Sequence, residues 1–234
     1  MFQRPHQPSA RAVQKAYRFA WWPLSVDLAA LVREVAGEPL EWLESQWKWH
    51  VETEFSVLRA GQRQGYPGSE LTHGHSVNQP NLARLPHLQA FMDSAFPVRP
   101  RLAWLGRMPS GARIFLHVDN TEHWDEHHRL HVPLITSPEA RLCVAGRFQH
   151  LSPGRLWLMN NSLPHGALNR GPERWHLVLD LPHFDGFDSW LASGTAEIGQ
   201  PDEPALAELA CDPLSSPSAE SVFDSARWAR WLAQ

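Results

Sequence analysis

A histidine and an aspartate stand two residues apart in the stretch FLHVDN, residues Phe115 to Asn120. In a strand, positions i and i+2 share a face, so His117 and Asp119 would project side by side. An imidazole and a carboxylate supply two ligands to one side of a metal ion, and a third must come from elsewhere. His165, in the turn-rich stretch NNSLPHGALNRG just after the apolar run GRLWLMN, is the best candidate. Two histidines and one carboxylate on one face leave open coordination positions opposite, the arrangement of non-haem Fe(II) oxygenases. Other readings stand beside this one. The pair could be a hydrogen-bonded His–Asp couple on a solvated strand face, Asp119 and Asn120 could open a turn, and His165 could be an ordinary loop histidine. The same spacing recurs at His123 and Asp125. His117 and Asp119 are preferred because an apolar run precedes them and offers a rigid mount.

A metal held by three protein ligands has room for an organic cosubstrate. A keto dicarboxylate such as 2-oxoglutarate chelates through its keto-acid end, and its far carboxylate then needs a guanidinium to pair with. Arg174 opens the run ERWHLVLDL, which puts Arg174, His176 and Val178 on one face and Trp175, Leu177 and Leu179 on the other. Arg129 and His131 share a face in HRLHVPL. Local pairing is the competing reading for each arginine, with Glu173 for Arg174 and with Asp125 or Glu126 for Arg129.

These residues need a scaffold, and the chain between about residues 101 and 182 reads as one. It consists of short apolar or alternating runs broken by turns: RLAWLGRM, ARIFLHVD, HRLHVPLIT, RLCVAG, GRLWLMN and RWHLVLDL. Evenly spaced short strands predict a sandwich or small barrel, with helices packed on one outer face. Before it, residues 1 to about 20 read as a loosely docked arm. SVDLAALVREV carries Leu28, Leu31, Val32 and Val35 at helical spacing, with Ser25 as N-cap and Gly37 and Pro39 as the stop. Trp47 and Trp49 fall in an irregular piece. Residues 61–82 read as a loop containing His73 and His75, and a short helix is expected in NLARLPHLQAFMDSAF. Beyond Trp190, ASGTAEIGQPDEP reads as a linker before two short helices near 203–210 and 218–232. The expected division is therefore a domain over residues 1–190 and an appendage over 191–234.

Bulk properties narrow the classes. The chain has 234 residues, 43% of them hydrophobic and 20% charged, with a net charge of −4. That balance offers no basic excess for a phosphate backbone, so no nucleic-acid partner is expected. No run is long enough to span a membrane, and the N-terminus lacks the h-region of a signal peptide. Cys143 and Cys211 are too few for a disulfide framework. A cytoplasmic monomer or homodimer is the expectation.

Taken together, LHVDN, HRLHVPLIT, LSPGRLWLMNNSLPHGALNRG and ERWHLVLDL make the chain resemble the aspartyl/asparaginyl beta-hydroxylase family, and within it the bacterial branch that includes L-proline hydroxylases. The resemblance covers roughly residues 100 to 182 and is looser toward the N-terminus, through WKWH and LRAG. It implies a mainly β fold with flanking helices, a double-stranded beta-helix (the jelly-roll, cupin-like core). It implies Fe(II), 2-oxoglutarate and O2, with an amino acid or peptide residue hydroxylated at an unactivated C–H. It puts the metal ligands on His117, Asp119 and His165, the far carboxylate of 2-oxoglutarate on Arg174, and cosubstrate- or substrate-facing polar groups on Arg129 and His131. Some relatives lack the carboxylate that this chain has at Asp119, and several carry an acid where this chain has Asn160 and Asn161. The competing classes are a cupin-like metal-dependent hydrolase or isomerase and a non-catalytic jelly-roll binding module.

Overall fold

The computed structural model describes residues 17–45, 47–61, 76–119 and 123–210. In chain order the elements are β1 (Phe19–Pro23), α1 (Leu28–Gly37), β2 (Leu43–Glu44), β3 (His50–Val51), β4 (Glu54–Gly61), β5 (Ser76–Asn78), a 3-10 turn (Leu82–Arg84) and α2 (Pro86–Ser94). There follow β6 (Leu102–Met108), β7 (Arg113–His117), α3 (His123–Glu126), β8 (His127–Ile135), β9 (Ala140–Val144), β10 (Arg147–Gln149), β11 (Arg155–Met159), β12 (His165–Asn169) and β13 (Arg174–Pro182). The described chain closes with α4 (Phe187–Ala192), β14 (Thr195–Glu197), β15 (Gln200–Pro201) and α5 (Glu203–Ala210).

The strands form two antiparallel sheets. The larger runs β14-β1-β11-β8-β13-β6-β4-β2, with β5 also on β4, and the smaller runs β15-β10-β9-β12-β7-β3. Alternation along each central strand decides what faces where. In β13 the odd positions Leu177, Leu179 and Leu181 join Leu130, Val132 and Leu134 of β8 in a core. Leu31 and Val35 of α1 and Leu88, Phe91 and Met92 of α2 cover that core from outside. The even positions Arg174, Val178 and Asp180, with Arg129 and His131 of β8, line a cavity on the inner side. The sheets meet face to face through Phe19, Trp157 and Met159 of one and Leu142, Val144 and Ala167 of the other. A mixed fold of two antiparallel sheets with flanking helices is thus the architecture. The helices lie on both outer faces, because α5 buries Ala205 and Leu209 against Leu116, Cys143 and Leu168 of the smaller sheet.

Several local readings need correction. Of the arm read over residues 1 to about 20, residues 1–16 lie outside the described residues, and Phe19 and Ala20 belong to β1, a strand paired on both sides, with β11 and with β14. The helix cap is Asp27, whose side chain accepts from the Ala30 N–H at 2.9 Å, not Ser25. The stretch read as a linker after Trp190 forms two short edge strands, β14 on β1 and β15 on β10. Composition misleads there because such strands are held by pairing rather than by propensity. The helix expected near 203–210 is α5. His73, His75, Cys211 and the helix expected over 218–232 lie outside the described residues. Cys143 is buried, and burial pushes its thiol up to about 12, which makes it inert. Among the described residues no helix is long and apolar enough to cross a membrane.

The β8 strand begins with two buried histidines that make the fold acid-sensitive. Burial, with His123 as neighbour, lowers His127 to about 4. Burial, with His183 as neighbour, lowers His128 to about 3. His128 stacks on Phe187 and its Nε2 lies 2.9 Å from His183 Nδ1. Below about pH 6.5 the unfolded chain takes up protons at these positions and the folded chain does not, so stability falls as pH falls. At about pH 5 each histidine is expected to remove about 2 kcal/mol relative to neutral pH. Urea midpoints at about pH 7.5 and pH 5 check this, and equal midpoints would contradict it.

Candidate metal centre

His117 ends β7 and His165 begins β12, and the two are direct cross-strand partners. This is why ligands far apart in sequence meet: the antiparallel pair of β7 and β12 brings one strand's end against the other's start. Asp119 follows two residues beyond His117 and is held by Asn161, whose backbone carbonyl accepts from the Asp119 N–H at 3.2 Å. The Asn161 side-chain amide donates to Asp119 Oδ2 at 2.9 Å. His165 was expected in a turn-rich segment, and pairing with β7 and β9 on either side makes that segment a strand.

Gly166 permits this meeting. A Cβ there would lie 2.5 Å from the Ile114 carbonyl oxygen, where the register of β7 and β12 shifts. Gly166→Ala is therefore expected to force the two strands apart, at about 1–3 kcal/mol of stability. Chemical denaturation would measure the loss, and an unchanged midpoint would contradict it.

Ligand atoms of His117, Asp119 and His165 all lie within 4.8 Å of one another. The His117 Nδ1 is 2.8 Å from the Phe115 carbonyl and the His165 Nδ1 is 3.0 Å from the Leu163 carbonyl. A carbonyl only accepts, so each Nδ1 carries the proton and each Nε2 presents a lone pair. Those Nε2 atoms stand 3.8 Å from the two oxygens of Asp119, one on each. That is too far for hydrogen bonds and leaves the lone pairs converging on shared space. Burial lowers both histidines, His165 to about 3, so they are neutral at physiological pH. Burial opposes ionisation of Asp119, but His165, Arg129, His117 and the Asn161 bond together hold its carboxyl below the usual range. Two neutral imidazoles and one carboxylate are the donor set a divalent first-row metal takes, and the residues fit such an ion.

Around the triad the charges are arranged in series. Arg129 Nη1 reaches Asp119 Oδ2 at 3.4 Å, and its Nε and Nη2 grip both oxygens of Asp180 at 3.0 and 3.2 Å. Its guanidinium lies between the rings of Trp104 and Trp124, 4.7 and 4.3 Å from their centroids. The local pairing with Asp125 or Glu126 weighed from the sequence is not what holds it. Asp180 is fully buried; burial raises its carboxyl, but Arg129 and His123 outweigh that and hold it at about 2. His123 Nε2 lies 3.0 Å from Asp180, so the second His-x-Asp pair gives its histidine to this network rather than to the triad. The sequence reading missed Asp180, although it shares the inward parity of Arg174 and His176.

Arg174 stands apart from that network. It is 4% exposed, lines the cavity, and has neither Nε nor Nη1 partnered. Burial alone lowers it, to about 10, so it remains a cation at neutral pH. Glu173 does not pair with it; that carboxylate takes the Trp175 indole at 2.7 Å and lies 3.6 Å from Arg107. His131 also lines the cavity with both ring nitrogens unpartnered, and burial, with the charges of Arg174 and Arg129 beside it, holds it well below the usual imidazole range. A buried guanidinium with idle donors at the wall of a cavity is a place for an anion. The cavity measures about 730 Å³, and Trp47, Trp49 and Trp124 are among its walls.

Solved structures similar to the chain include an oxidoreductase of the 2OG-Fe(II) oxygenase family from Burkholderia pseudomallei, 18% identical, covering 73% of this chain and 88% of that one, with a TM-score of 0.47. HygX from Streptomyces hygroscopicus with nickel and 2-oxoglutarate bound is 16% identical over 72% of this chain and 84% of that one, TM-score 0.45. A prolyl hydroxylase from Trichoplax adhaerens, in complex with a hypoxia inducible factor peptide fragment, is 13% identical over 79% and 91%, TM-score 0.49. No curated protein matches the chain significantly in sequence. The family profile described as Aspartyl/Asparaginyl beta-hydroxylase matches residues 35–184, a span that holds both triad strands, Asp119 and Arg174, and the chain belongs to that family.

Proposed function

We propose that the protein is an Fe(II)- and 2-oxoglutarate-dependent dioxygenase that hydroxylates an unactivated C–H of an amino acid or peptide residue, on a double-stranded beta-helix core. The observation that carries this reading is the pairing of a 2-His-1-carboxylate cluster with a buried arginine whose donors are idle. His117, Asp119 and His165 would hold the iron. Arg174 would take the far carboxylate of 2-oxoglutarate bidentately, which would supply the partner its buried charge lacks. His131, which lines the cavity with both ring nitrogens unpartnered, would donate to the same cosubstrate from one of them. Bound together, iron and the keto acid would activate O2, the keto acid supplying two electrons as it is oxidised to succinate and CO2.

The protein's own part is positioning and exclusion of water. Carbonyls at Phe115 and Leu163 fix the histidine tautomers. Asn161 and Arg129 fix the rotation of the Asp119 carboxylate. Such partners orient a ligand and set its basicity. Arg129 was expected to face cosubstrate or substrate; with two carboxylates already on it, we assign it chiefly to holding Asp119. Aromatic walls, Trp47, Trp49 and Trp124 among them, would exclude water beside the triad. Succinate release under O2 tests the reading. It is expected to require Fe(II), to stop with a chelator, and to rise on addition of the right member of a panel of amino acids and peptides. No succinate with any of the panel would contradict it.

A further inference from the structure

Beside the triad and Arg174, the lining of the cavity includes an apolar, largely aromatic lobe. Trp47, Phe55, Val57, Leu102, Trp104 and Trp124 line it. Trp47 packs on Phe55 and Trp104, with centroids 5.7 and 6.4 Å apart, so these three rings form one aromatic stretch of the wall. Charged side chains are present, but among the described residues they are committed to one another. Arg107 pairs with Glu54, and Arg129 pairs with Asp180 and Asp119. Of the arginines lining the cavity, the one whose charge no carboxylate meets is Arg174, and the dicarboxylate cosubstrate would claim it.

Arg129 adds a positive indication. A guanidinium has five N–H donors, and the contacts to Asp180 and Asp119 use one each from Nε, Nη1 and Nη2. Its charge is met by two carboxylates, yet both Nη atoms keep a further N–H. A donor with compensated charge suits a neutral acceptor such as an amide carbonyl better than a third carboxylate. The α-carboxylate and α-ammonium of a free amino acid would enter an aromatic lobe without partners, and burying unpaired charges is strongly unfavourable. An apolar side chain gains instead from the area it hides.

Resting on the oxygenase reading above, we infer that this lobe takes an apolar group carried by an uncharged amide, as in a residue within a peptide, and discriminates against free amino-acid zwitterions. The test is a tryptophan-fluorescence titration of the protein held anaerobically with Fe(II) and 2-oxoglutarate. N-acetyl amides of leucine, phenylalanine and proline are compared with the same amino acids free. At least one capped probe is expected to bind, and at least about tenfold more tightly than its free counterpart, a difference of one decade in Kd. Free acids binding as well or better, or no capped probe binding, overturns the inference. Asp180→Asn keeps the shape of the network and uncovers charge on Arg129, so the preference for capped probes should shrink. An unchanged preference in that variant overturns the charge argument; if the variant does not fold, the wild-type comparison decides alone. The visible band that 2-oxoglutarate gives on Fe(II) separates the two readings. Zwitterions preferred with the band present removes this inference alone, and no band removes the oxygenase reading and this inference with it.

Discussion

His165→Ala is expected to lower the affinity for a divalent first-row metal by more than about 100-fold, since partners that merely orient a ligand are worth 10–100-fold. The side chain contributes one Nε2 lone pair to a cluster whose other members are His117 and Asp119. With it gone, an imidazole and a carboxylate remain on one side of the ion. The fold should survive, because the strand register of β12 is fixed by backbone pairing with β7 and β9. Calorimetric titration with Fe(II) or Co(II) measures the affinity, and circular dichroism checks that the sheets persist. Metal affinity unchanged in a folded variant would remove His165 from the site.

Arg174→Met is expected to act in two opposite directions. Affinity for 2-oxoglutarate should fall by about 100-fold or more, in line with the loss of a desolvated carboxylate–arginine pair. Stability without cosubstrate should rise, by about 1–4 kcal/mol, because an unpaired buried cation is replaced by an apolar chain of similar length. Burial alone depresses this arginine, and Glu173 is engaged elsewhere. An arginine that served the fold through an ion pair would show the reverse sign on removal. Urea denaturation of the variant with and without 2-oxoglutarate separates the two effects. A destabilised variant that still binds the cosubstrate would contradict the assignment.

The sequence carried the chemistry further than it carried the scaffold. His117 and Asp119 were legible because a period of two puts them on one face of any strand. Arg174, Arg129 and His131 were legible for the same reason, since their runs alternate with leucines that pack on α1 and α2. The strand holding His165 was not, because PHGALN is rich in residues that local propensity assigns to turns. Its strand character comes from neighbours on both sides, a tertiary cause. The same holds for β1, which follows a basic segment yet pairs with β11 and β14. Asp180 was hidden differently. A lone acid in LVLDLP looks misplaced until Arg129 and His123 are brought to it by the β8–β13 pairing. Buried charges acquire meaning only with their partners, and those partners are distant in sequence.

We propose that His117, Asp119 and His165 bind Fe(II) while Arg174 binds the far end of 2-oxoglutarate in the same cavity. Anaerobic titration of 2-oxoglutarate into the Fe(II)-loaded protein, followed by visible absorption, tests it most directly. A weak metal-to-ligand band that grows to saturation in the intact protein, is lost in His165→Ala and needs far more 2-oxoglutarate in Arg174→Met is the predicted result. No band in the intact protein at saturating Fe(II) and 2-oxoglutarate, or a band undiminished in both variants, would contradict it.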